Sequence, residues 1–214
     1  MKDIPLFTTG YGAASLALKE IPYRQEAYIH VRDVQPGALD QLLSECAGFC
    51  RACGAEKIYA TDHEELARYP VHASIYEMRA TARAEESLVE NIFPVMDTTA
   101  ARWREICNER MRSVDCAATQ TAADENEILS SGGAYFVHHE GELLGTGWIR
   151  DSKLLLLCSV KPGAGERVLH TLMSLIDGEQ MTLEVASTNE RAIRLYERLG
   201  FIKTKELRRW YKIF

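Results

Sequence analysis

The stretch Val160-Lys161-Pro162-Gly163-Ala164-Gly165-Glu166 runs out of an apolar segment and into a helical pattern, and a junction of that kind can hold an anion. The first turn of a helix has free N–H groups and partial positive charge, and glycines let the backbone approach a phosphate closely. Lys161 and Arg167 are the cations at hand, while Glu166 stands where a phosphate would want a cation. Side chains able to accept a proton lie nearby in sequence: Glu184 on a following strand, and the adjacent His138 and His139 at the end of an earlier one. Cys158, inside the apolar run, has no His or Asp pattern around it and reads as a buried strand cysteine. Cys46-x-x-x-Cys50-x-x-Cys53 has the spacing that, on an extended loop, holds three irons of a four-iron cluster. Here those positions fall on one leucine-bearing helical stripe, which makes them a core face. Histidines 30, 63, 72 and 170 show no metal spacing, and Thr8-Thr9-Gly10-Tyr11-Gly12 lacks the lysine of a phosphate loop. No metal is expected.

The elements that must position these groups follow from hydrophobic period and turn residues. Residues 1–35 read as β structure, with strands near 13–19 and 26–32 broken at Ile21-Pro22. Pro36-Gly37 opens a helix whose Leu39, Leu42, Leu43, Cys46, Phe49 and Cys50 recur at three- and four-residue spacing, and Gly54 ends it. Strands follow at 57–61 and 70–83, then an amphipathic helix at 98–114 with Asp97 as its expected N-cap, then a short helix before Gly132-Gly133. A hairpin turns at Glu140-Gly141, and Asp151-Ser152 leads into the strand Lys153–Val160. A helix over 166–176, a strand over 181–185, a helix over 190–199 and a terminal strand or hairpin from Ile202 complete the order. Strand–helix–strand occurs twice, near 26–61 and near 154–185, as in a weak structural duplication.

Bulk properties set bounds. With 214 residues, 46% hydrophobic and 26% charged, the chain has the material for one domain or two small ones sharing a sheet. A net charge of −6 and no basic run argue against a nucleic-acid partner. No apolar run approaches the ~20 residues of a membrane span, and the start lacks a secretory pattern. Six cysteines without such a signal read as reduced thiols, so the cytoplasm is the expected location. A homodimer is the assembly this reading allows.

From 97 to 214 the order of elements, and above all Thr188-Asn189-Glu190-Arg191-Ala192-Ile193-Arg194-Leu195-Tyr196-Glu197-Arg198-Leu199-Gly200-Phe201, resembles the GCN5-related N-acetyltransferase superfamily. The resemblance implies an α/β (α+β) fold: a mixed, mostly antiparallel twisted sheet with flanking helices, of the acyl-CoA N-acyltransferase type. Residues 71–214 would form that domain, and residues 1–70 a partial copy of it. In the family two neighbouring strands splay, the pantetheine arm of acetyl-CoA lies between them, and its pyrophosphate meets the next helix. The implied coenzyme site comprises Cys158, Ser159, Val160, Lys161, Gly163, Ala164, Gly165, Glu166, Arg167, Asn189, Ala192 and Tyr196. Within it, the Val160 main-chain N–H would polarise the thioester carbonyl, and backbone donors on Ala164, Gly165 and Glu166 would cradle phosphate. Asn189 would cap its helix and Ala192 leave room for the thiol. Tyr196 would protonate the departing thiolate as general acid, with Glu184 the candidate base. The pyrophosphate motif departs from the family pattern: roughly five loop residues are absent, including the usual basic one. The implied activity is acetyl transfer from acetyl-CoA to a primary amine of a small molecule or peptide, by direct attack in a ternary complex. The alternative is a non-catalytic acyl-CoA-binding or structural relative.

Overall fold

The computed structural model describes residues 2–176 and 178–214. They divide into two compact units, residues 1–75 with 206–214, and residues 76–205. The sequence reading places the last nine of these residues with the second domain; in the structure they cluster with the first unit.

The first unit contains β1 (Ile4–Thr9), β2 (Gly12–Ala17), a single helical turn α1 (Ile21–Arg24), β3 (Glu26–Val34), α2 (Leu39–Ala52) and β4 (Lys57–Thr61). β1–β2 and β2–β3 pair antiparallel, and α2 carries the chain back so that β3 and β4 pair in parallel. Alternation sorts β3 between two faces. Ala27, Ile29 and Val31 pack against Leu39, Leu42, Leu43, Cys46, Ala47 and Cys50 of α2. Tyr28 and His30 instead meet the Trp210 ring, at 4.9 Å each. Cys46 and Cys50 are fully buried in this core, and burial pushes their thiols up to about 11 and about 12. They are packing residues, as the helical spacing predicts.

β5 (Val71–Thr81) runs from the first unit into the second. The second unit continues with β6 (Asn91–Pro94), α3 (Ala100–Met111), α4 (Glu125–Ser131), β7 (Ala134–His139), β8 (Glu142–Arg150), β9 (Lys153–Ser159), α5 (Gly165–Met173), β10 (Gln180–Ala186), α6 (Glu190–Arg198) and the start of β11 (Ile202–Lys212). Its strand order is β5-β10-β9-β8-β7-β6. The pairs β6–β7, β7–β8 and β8–β9 are antiparallel, and β9–β10 is parallel. The expected mixed, mostly antiparallel sheet with flanking helices is present. Three details differ. β6 is an additional strand that the sequence reading does not include; it is the last in the unit's order, where its Pro94 is tolerated. The N-cap of α3 is Thr99 rather than Asp97. The terminal segment is one strand, not a hairpin.

The two sides of β8 show how the helices flank the sheet. A Cβ on Gly145 would lie 2.8 Å from Val168, and one on Gly147 would lie 2.3 Å from Leu172, so these glycines face α5. The intervening Thr146 meets the Cys107 thiol of α3 at 3.3 Å, and Trp148 meets the Trp103 ring edge-on at 6.4 Å. Successive strand residues point to opposite faces, so α3 and α5 cover opposite sides of β8.

Gly145→Ala should therefore destabilise by about 1–3 kcal/mol through overpacking, because its Cβ would sit 2.3 Å from the Cys158 carbonyl oxygen. Gly48→Ala, mid-α2 with nothing within 4 Å, should stabilise by about 0.5–1 kcal/mol. Urea melts of both variants check the pair of signs.

Candidate active site

β9 and β10 are seven residues each, yet they pair only at Lys153–Thr182 and Leu154–Leu183. Beyond that point β9 stays bound to β8 as far as Ser159, and Glu184–Ala186 of β10 run unpaired with it. The two strands part, leaving one edge of β9 without a strand partner.

Which amides point into the opening is decided by the β8–β9 ladder. The Val160 N–H donates to the Leu144 carbonyl at 2.7 Å. In an antiparallel ladder such bonds fall on alternate residues, so Leu157 and Ser159 direct their N–H groups to the other edge, toward the opening. The donor expected on Val160 is thus taken, and Ser159 holds the equivalent place one residue earlier.

The turn from β9 into α5 also follows from its residues. Pro162 and Gly163 fill the central positions of a type II turn, with Gly163 at φ +81° and Ala164 donating to Lys161 at 3.2 Å. That uses the Ala164 amide, one of the three expected phosphate donors. Gly165, Glu166 and Arg167, the first turn of α5, keep theirs, and no side chain caps the helix. A Cβ on Gly165 would lie 3.2 Å from Leu195 and 4.0 Å from the Ser159 Cβ, so α5 begins hard against α6 and the end of β9.

Charges around this turn are paired. Lys161 bonds Glu142, Arg167 bonds Glu90, and Glu166 lies 3.8 Å from Arg198. Hydrogen bonding by Lys161 is the main reason the Glu142 carboxyl sits below its usual range.

α6 begins as expected: Asn189 Oδ1 accepts from the Ala192 N–H at 3.3 Å. Tyr196 is buried, its ring 5.7 Å from that of Phe201. Its hydroxyl has no hydrogen-bond partner among the described residues. Burial first, and the Cys158 thiol second, raise its pKa well above the ordinary tyrosine value, so it holds its proton at neutral pH. Cys158 is itself buried, facing α3 beside Cys107. The structure thus brings Cys158, Ser159, Gly165 and Tyr196 to one region where β9, α5 and α6 meet.

The candidate bases engage other partners. Glu184 is exposed and ion-paired with Lys153. His139 Nδ1 lies 2.7 Å from Glu90, and His138 packs edge-on against Phe93 at 5.3 Å. Glu90 is a residue that sequence reasoning missed: it lies in the connection between β5 and β6, where no local pattern marks it.

Comparison with known proteins agrees with this geometry. Residues 160–211 match the FR47-like protein family. No curated protein sequence matches the chain. Among solved structures, a GCN5-related N-acetyltransferase from Sphaerobacter thermophilus superposes with a TM-score of 0.55 at 12% identity, over 94% of this chain and 76% of that one. An acetyltransferase of the same family from Colwellia psychrerythraea gives 0.54 at 12%, over 97% and 84%. A GCN5-related N-acetyltransferase from Anabaena variabilis gives 0.59 at 10%, over 94% and 58%. The fold is that of the GCN5-related N-acetyltransferase superfamily, as the Asn189–Phe201 run implies. Among the described residues, no helix is long and apolar enough to cross a membrane.

Asn189→Ala should cost about 1 kcal/mol through the lost cap, and Asn189→Asp should keep most of it. Thermal melts of the two variants measure the difference.

Proposed function

We propose that this protein transfers an acetyl group from acetyl-CoA to a primary amine of a small molecule or peptide, by direct attack in a ternary complex. The observation that carries the reading is the parting of β9 from β10 after two paired residues. It leaves the Leu157 and Ser159 amides on one side of an opening whose far end meets the uncapped first turn of α5. The pantetheine amides would bond that free edge as a third strand would, and the pyrophosphate would take the Gly165, Glu166 and Arg167 amides.

The residues then divide the chemistry. The Ser159 N–H donates to the thioester oxygen as it gains charge. The amine, arriving neutral, uses its lone pair to form the C–N bond, and the C–S bond breaks with its electrons going to sulfur. Tyr196 gives its proton to that sulfur and recovers one, through solvent, from the nitrogen of the adduct, which is thereby left as the neutral amide. Such a route does not require Glu184, which Lys153 holds at the surface. A non-catalytic acyl-CoA-binding relative is the second reading, favoured by the carboxylate that pairs Lys161.

Calorimetry with acetyl-CoA is the first test, with a measurable heat and a raised melting temperature expected; neither appearing sinks both readings. Tyr196→Phe should lower kcat by about 10²–10⁴-fold while changing coenzyme affinity little. Equal losses in the two would remove the acid assignment. The raised tyrosine pKa carries a sign as well. Its acid form persists past the ordinary value near 10, so any alkaline fall in kcat below about pH 10 must come from another group. A pH–rate profile to pH 10.5 on wild type and Tyr196→Phe separates the two.

A further inference from the structure

The buried carboxylate of Glu90 has no part in the chemistry above, yet two side chains converge on it. Its side chain is 6% exposed. One oxygen takes Arg167 Nη1, and the other lies 2.7 Å from His139 Nδ1. Its own backbone N–H donates to Thr171 Oγ1 at 2.9 Å, and five residues earlier the Glu85 N–H donates to His170 Nδ1 at 3.1 Å. The connection from β5 to β6 is therefore strapped along α5 at two points, and these straps place the carboxylate. Burial alone would raise the Glu90 carboxyl; hydrogen bonds from Arg167 and His139 outweigh it and hold the group below the usual carboxylate range. It is ionised at neutral pH.

Arg167 is the third residue of α5, in the helical turn that offers free amides. Its side chain is 42% exposed, against 6% for Glu90. A guanidinium carries five N–H donors in a rigid planar fork. Glu90 takes a donor on Nη1, and the side chain remains partly open to solvent. The tight Lys161–Ala164 turn carries no cation free for an anion, since Lys161 pairs with Glu142. Glu166 is offset by Arg198 at 3.8 Å.

We infer that Glu90 is a positioning residue: it holds the Arg167 fork at the start of α5 so that its remaining donors bind a phosphate of the coenzyme, replacing the side-chain donor missing from the shortened turn. The inference rests on the acetyl-CoA reading given above. It specifies that the ligand is recognised through its phosphates by a side chain on the helix itself. Because the Arg167–Glu90 pair is neutral as a unit, its contribution is directional hydrogen bonding rather than net charge, as with a carboxylate that orients a metal-bound histidine.

The test compares two probes, coenzyme A and pantetheine, which lacks every phosphate. Arg167→Met keeps the aliphatic stem and should weaken coenzyme A by about tenfold, the scale of a hydrogen bond to a charged group, while leaving pantetheine unchanged. Glu90→Gln should do the same, and the double variant should be no weaker than Arg167→Met, because Glu90 acts through Arg167. Arg167→Lys should restore only part of the affinity, since it lacks the fork. Equal loss on both probes would mark Glu90 as structural and overturn the inference. So would additive losses, a Glu90→Gln variant that binds coenzyme A more tightly, or no change in any variant. Should Glu90→Gln fail to fold, the Arg167 variants decide, read against circular-dichroism melts. Wild type that binds neither probe would overturn the acetyl-CoA reading itself, whereas wild-type binding with no effect of Arg167→Met overturns only the role given to Glu90.

Discussion

Two residue pairs, Lys153–Thr182 and Leu154–Leu183, are all that join β9 to β10, and the rest of the second unit is arranged around that short contact. An unpaired strand edge inside a sheet is normally a defect, because its N–H and C=O groups must find water or another partner. Here the edge is built in. β9 is held on its other side by β8 through Ser159, and α3 and α5 clamp β8 from opposite faces. Gly145 and Gly147 make that clamp possible, since a side chain at either would meet α5. β9 is thus held in place by β8, with no pairing across the opening beyond those two residues.

The first unit shows the same order of elements without the opening. β1, β2, β3, α2 and β4 repeat the connectivity of β7, β8, β9, α5 and β10: two antiparallel pairs, then a helix crossing over to a parallel one. The difference lies in the parallel pair. β4 bonds β3 at all five of its residues, from Lys57 to Thr61. The two strand–helix–strand segments share this connectivity. Only in the second segment do the parallel strands part.

Local pattern made most of the elements legible. The stripe of α2, the Glu140-Gly141 turn and the Asn189–Phe201 run each carry their own signal, through period, turn chemistry or capping. What stayed hidden depends on contacts distant in sequence. Strand parity is one case: residue types along Lys153–Val160 do not reveal which amides β8 takes, and the Val160 N–H proves to be one of them. β6 is another, because Pro94 is tolerated only at a sheet's edge and the sequence does not say where that edge is. Glu90 is the sharpest. It sits in an irregular connection, and nothing in its neighbours announces that His139 and Arg167 converge on it.

The shortened turn between β9 and α5 looked, as sequence, like a damaged site. Geometry gives it a different meaning. A type II turn of four residues uses one amide, that of Ala164, and brings the helix start directly after the strand. The position of a Gly165 Cβ is 4.0 Å from the Ser159 Cβ, so the last free strand amide and the first free helix amide are near neighbours. A longer loop would carry a cation but would also have to be ordered, at about 1–2 kcal/mol per residue. What the deletion removes is a side chain, not the backbone donors. Arg167, in the first turn of α5, is the cation nearest those donors in sequence, and the Glu90 carboxylate pairs with it.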